Sequence, residues 1–209
     1  MMHGSPSIAK SAVPWNKSAF EAYATVSAVG VLAGIIVADA RMPLHLPGHK
    51  VLWWMIPVLV SRVWTGARVG ASIGALATIL STISLGGRLA GGVMMMPLVV
   101  VAGVILDVAV GAVERRALPI WGSLFVVALA ATAGNLVCFV KRLLEPGGAS
   151  LSKANIEDLL LAAGSYALFG FVAGLLGAAV GRGSLALSKY ARREGVGRDN
   201  RFGTSESGS

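Results

Sequence analysis

Of the 209 residues, 55% are hydrophobic and only 13% are charged, whereas a soluble globular chain carries about 25% charged residues. So few charges cannot coat a soluble domain, and 27 glycines without a three-residue period exclude a collagen-like chain. The net charge of +8 lies in gaps between apolar runs and in a C-terminal stretch holding Arg182, Lys189, Arg192, Arg193, Arg198 and Arg201. That is the pattern of the positive-inside rule and of attraction to anionic lipid. Nucleic-acid binding needs a contiguous basic face and is not expected.

In chain order, residues 1–19 read as a small, polar, weakly basic cytoplasmic segment. The first span is expected over Ala22–Ala38, with Phe20 and Glu21 at its start. The next apolar stretch, Val51–Ser61, is short and is closed by Arg62. Val69–Gly87 and Leu89–Leu106 follow as two long runs separated by Arg88 in a glycine-rich gap, then Ala117–Val140 and Leu159–Gly181. A helix needs about 20 apolar residues to cross a bilayer. The expectation is therefore an all-α polytopic membrane bundle of about six transmembrane helices over 20–182, with a basic, disordered cytoplasmic tail over 183–209. Five spans is the alternative, with Val51–Thr65 as the doubtful one.

Charge placement argues for six spans in a plasma membrane with both termini cytoplasmic. The inner segments then hold Lys10, Lys17, Arg62, Arg68, Arg115, Arg116 and the tail, whereas the outer cations are partly balanced by Asp39, Glu145, Glu157 and Asp158. A cleaved leader ending at Ala38-Asp39-Ala40 is the competing reading of the first span, but its apolar run exceeds the usual signal length.

Spans pack by close backbone approach, and small residues recur at four-residue spacing in Ala24/Ala28, Gly30/Gly34, Gly70/Gly74, Gly170/Gly174 and Gly177/Gly181. Most of these are expected to pack within the monomer; Ala24/Ala28 is the candidate for docking a partner subunit. Asp107 is an ionisable residue inside an apolar run, costly unless paired. An ion pair with Arg62 or with Arg68 is expected, and proton coupling is the functional alternative.

No GxSxG, HExxH or Walker A motif occurs, so neither an enzyme nor a built-in ATPase is expected. Polar residues converge instead on the outer side. Asp39, Arg41, His45 and His49 fall in a segment that Pro43, Pro47 and Gly48 shape into turns. Trp53 and Trp54 follow, Arg88 lies in the third loop, and Asn135, Ser165 and Tyr166 sit near the outer ends of the fifth and sixth spans. Such convergence at one mouth of an apolar bundle suits a small-molecule site, with arginine and histidine for an anion and tryptophan for a ring. Plainer readings stand beside it, an interfacial tryptophan belt and loop-capping histidines. A metal site from His45, His49, Asp39 and His3 is conceivable, but neither a metal nor another cofactor is expected. The lone Cys138 lies in an apolar run and cannot form an internal disulfide.

With these features the chain resembles the substrate-binding S components of energy-coupling-factor vitamin transporters. The resemblance rests on the Ala24-Thr-Val-Ser-Ala28 stripe of the first span and on a first loop over residues 40–50. It also rests on a third loop over Gly86–Gly92 and on the passage Pro47-Gly48-His49 to Trp53-Trp54 and Arg62. It implies six helices, capture of a vitamin-like solute beneath the first and third loops, and docking of a transmembrane coupling subunit on Ala24/Ala28. It also implies ATPase subunits supplied in trans. A structural or assembly subunit without a solute site, and less so an intramembrane enzyme acting on lipid, remain the other readings.

Overall fold

The computed structural model describes residues 17–39, 47–86, 96–116, 118–144 and 155–202. These form six helices and no strand: α1 (Lys17–Asp39), α2 (Val51–Thr65), α3 (Gly70–Ser84), α4 (Met96–Arg116), α5 (Ile120–Leu144) and α6 (Ile156–Phe202). Four of them are long and apolar enough to cross a membrane, over Ser18–Asp39, Pro97–Arg116, Ile120–Val140 and Ile156–Ala186. The protein is an all-α membrane helix bundle. Its outer face is as apolar as its core: Val31, Leu32, Ile35 and Ile36 of α1, Val101, Val104 and Val108 of α4, and Leu168, Leu175 and Leu176 of α6 are all exposed. A helix hydrophobic all round suits lipid on one side and protein on the other.

The helices close a ring in the order α1, α3, α4, α5, α6, α2, and α2 also touches α3. Glycines set the contacts. A Cβ on Gly30 would strike the Gly74 carbonyl oxygen, and Thr78 Oγ1 donates to Gly30 O at 3.0 Å and Thr82 Oγ1 to Gly34 O at 3.1 Å, joining α1 to α3. On α6, Gly174 lies against Ala131 and Ala128 of α5, while Gly177 and Gly181 lie against Leu59 and Val63 of α2. The glycine pairs thus pack within the monomer. Ala24 and Ala28 are exposed on α1 and take no part in it.

Two helices are shorter than a bilayer core is thick. Both α2 and α3 have 15 residues, about 22 Å at 1.5 Å per residue, against a hydrocarbon core of about 30 Å. The run from Val69 stops being helix at Ser84, where Gly86 takes φ +66° and donates to Ile83 O, the left-handed ending that glycine permits. Helix α4 begins at Met96, inside the run expected to start at Leu89, and residues 87–95 lie outside the described residues. At the other end of the chain, α6 continues past residue 182 to Phe202, through the segment expected as a disordered tail. Helix formers such as Ala186, Leu187, Ala191, Arg192 and Glu194 carry the pattern on.

Candidate functional site

Polar structure concentrates at the two ends of the bundle. At the end where α2 stops and α3 starts, the chain turns over Gly66–Val69 beside α4. In hydrocarbon every backbone N–H and C=O needs an internal partner, and several N–H groups in and just after this turn find one within the chain. Gly66, at φ +68°, donates to Arg62 O at 3.1 Å, Ala67 N–H reaches Thr65 Oγ1 at 3.4 Å, Gly70 donates to Ala67 O at 2.9 Å and Ile73 to Val69 O at 3.1 Å. Val69 occupies the N-cap of α3 and has no side-chain oxygen to offer. Asp107, from α4, supplies it.

Asp107 Oδ1 accepts from Ala71 N–H at 2.9 Å, and Oδ2 accepts from Ser72 N–H at 2.8 Å and Ser72 Oγ at 2.6 Å. A carboxylate on the free N–H groups of a helix start both caps the helix and meets the positive end of its dipole. Gly103, one turn before Asp107, makes this reach possible: a Cβ there would stand 2.8 Å from Ala71 O and from Ser72 Cα. Arg62 completes the cluster. Its Nε donates to Asp107 Oδ1 at 3.1 Å, and its two terminal nitrogens donate to Glu114 Oε1 and Oε2 at 3.2 and 3.3 Å. Arg62 is 1% exposed, and Gly70 leaves room for its stem. Of the two partners expected for Asp107, Arg62 makes the pair and Arg68 is exposed.

The opposite end carries most of the candidate solute residues. The turn Pro47–Lys50 leads into α2, with Val51, Leu52 and Trp53 N–H groups bonded to Gly48, His49 and Lys50 carbonyls. It rests on α6: Ser165 Oγ donates to Pro47 O at 2.9 Å, and Gly48, at φ +86°, lies so close that a Cβ would be 3.0 Å from Tyr166 Cγ. His49 meets Phe169 edge-on at 6.4 Å, Tyr166 meets Phe139 at 5.3 Å, and Asn135 Nδ2 donates to Tyr166 O at 2.7 Å. His49, Asn135 and Tyr166 are therefore brought together by one turn and two helices. Trp53 is half-buried beside them, whereas Trp54 is 3% exposed and belongs to the core with Met55 and Val58 rather than to an interfacial belt. Asp39 is exposed at the end of α1. Arg41, His45 and Arg88, like His3, lie outside the described residues.

Comparison with protein-family models, curated proteins and solved structures finds no match. What the arrangement can do therefore rests on its own chemistry. Among the described residues no group of three His, Cys, Asp or Glu could hold a metal ion, and Cys138 is a buried free thiol. The Asp107 carboxylate is committed to capping α3 and pairing Arg62, a role for which the sequence offered the charge but not the capped helix. Glu114 was missed altogether. Its signal was its seven-residue spacing from Asp107, which puts the two carboxylates on one face of α4.

Proposed function

We propose that this chain is a non-enzymatic, solute-capturing subunit of a membrane uptake system of the energy-coupling-factor type. A transmembrane coupling subunit and ATPase subunits would be supplied in trans. The observation that carries the reading is the recessed Pro47–Lys50 turn. It meets α6 at Tyr166, ten residues into that helix, about 15 Å along the axis from Ile156. Non-helical backbone at such depth is tolerated where it is buried in protein or lines a polar cavity. Here it gathers a histidine, an amide and a phenol at one mouth of the bundle, which supports capture of a small, vitamin-like solute. Exposure of Ala24 and Ala28 on an apolar face of α1 supports docking of the coupling subunit there. The basic residues at the α2–α3 end support placing that end, and both termini, in the cytoplasm of a cell whose plasma membrane the six helices span.

A second reading has its own observation. Asn135 and Ser165 already spend their hydrogen bonds on Tyr166 O and Pro47 O, so the same cluster serves equally as a rigid lock between α2, α5 and α6. That favours a structural subunit of a larger membrane complex. Thermal unfolding of the purified full chain across a vitamin panel separates the two. The uptake reading expects one solute class to raise Tm, with the effect lost in His49→Ala; no stabilisation by any solute counts against it.

A further inference from the structure

At the end of the bundle where α2 stops, a cleft lies among α2, α4, α5 and α6. Its volume is about 390 Å³, and its walls include Val63, Val110, Val113 and Val127 together with two charged residues, Glu114 and Arg182. That volume is at the lower end of the range for small-ligand sites, about 300–1,000 Å³. It lies at the end of the bundle opposite the Pro47–Lys50 turn and does not depend on the uptake reading.

The two charges face one cleft without closing on each other: Glu114 pairs with Arg62 and not with Arg182. Glu114 binds Arg62 through both oxygens, yet its side chain is 50% exposed. A carboxylate has about four lone-pair sites, so it can accept a further donor. One Arg62 is shared by two carboxylates, Asp107 and Glu114, so the trio carries a net negative charge that reaches the cleft at Glu114, and Arg182 brings a positive one. A purely anionic ligand meets repulsion at Glu114, and a purely cationic one meets it at Arg182. A molecule bearing both charges satisfies each.

We propose that this cleft binds a zwitterionic amphiphile, its ammonium on Glu114, its phosphate or carboxylate on Arg182, and its apolar part against the valines. Two sources carry that chemistry: a membrane lipid with a phosphoethanolamine headgroup and a free zwitterionic solute. An ammonium with N–H groups can donate to Glu114, whereas a quaternary choline cannot. The guanidinium binds phosphate or carboxylate through paired N–H donors.

The test uses delipidated full-length protein in detergent, titrated with short-chain phosphatidylethanolamine, phosphatidylcholine and phosphatidylglycerol of equal chain length. Water-soluble phosphoethanolamine and free leucine form the other arm. Binding is read by native mass spectrometry and by the shift in Tm. The phosphatidylethanolamine is expected to bind with an affinity about tenfold above that of the other two lipids. Saturable binding of phosphoethanolamine or leucine at comparable affinity supports the site and assigns it to a free solute. Arg182→Ala and Ala186→Phe, the second filling the cleft mouth, are expected to abolish the preference with the ligand-free Tm unchanged. Equal binding of all three lipids with neither solute bound, binding unaltered in both variants, or no binding of any probe overturns the proposal.

Discussion

Replacing Asp107 by alanine removes the acceptor of four hydrogen bonds, from Arg62 Nε, Ala71 N–H, Ser72 N–H and Ser72 Oγ. Interhelical polar contacts in membranes average about 0.6 kcal/mol each, which sets a floor of about 2.4 kcal/mol for the four. Removing one partner of a buried ion pair costs about 3–5 kcal/mol, because the other charge stays behind, and Arg62 is 1% exposed. Glu114 still holds two of its nitrogens, so the loss belongs between these bounds, at about 3–4 kcal/mol. Asp107→Asn keeps one oxygen but turns an amide donor towards existing donors, and should lose about 2 kcal/mol. Equilibrium unfolding in mixed micelles, monitored by circular dichroism, reads both values. Adding Arg62→Met to Asp107→Ala should recover part of the loss, since it removes a buried charge left with only the half-exposed Glu114 as its partner. If Asp107→Ala unfolds within about 0.5 kcal/mol of the parent, the range of an ordinary surface change, the capping and pairing account is refuted.

Two glycines of the same helix should respond with opposite signs. Gly103→Ala drives a Cβ into the backbone of Ala71 and Ser72 and should cost about 1–3 kcal/mol, while Gly111→Ala, with nothing within 4 Å, should gain up to about 1 kcal/mol; the same micelle titration compares them. Gly48→Ala puts a Cβ at φ +86° against Tyr166 and should lower stability by about 1–2 kcal/mol, with Tyr166 and Trp53 fluorescence reporting the displaced turn. Thr78→Val removes the bond to Gly30 O and should cost only about 0.6 kcal/mol; a loss as large as that of Asp107→Ala would mean that α1 and α3 depend on that bond far more than on glycine packing.

The bundle was legible in the sequence because apolar runs and bordering charges report the bilayer directly. The glycine pairs were legible too, since Gly30/Gly34 and Gly177/Gly181 are spaced to put one smooth stripe on a helix face. The shortness of α2 and α3 was legible only in part. An apolar run says where lipid or protein can cover the chain, not where the helix ends, and Val69–Gly87 contains no proline to mark the stop at Ser84. Asp107 announced itself by its charge, yet its choice of Arg62 over Arg68 depends on register: Arg62 is on the buried face of α2, whereas Arg68 is in the exposed turn beyond it. The cleft between Glu114 and Arg182 was not legible at all, because its walls come from four different helices. At the other end, the sequence placed His49, Asn135 and Tyr166 towards one side of the membrane, while the bond from Asn135 Nδ2 to Tyr166 O had no sequence signal.

The uptake reading is tested most directly by isolating the full chain from its native membrane in mild detergent and identifying its stoichiometric partners by mass spectrometry. The account predicts a transmembrane coupling subunit with an ATPase pair, reduced in Ala24→Leu/Ala28→Leu protein that retains the parent's Tm. Recovery with respiratory or photosynthetic subunits and no ATPase would contradict it.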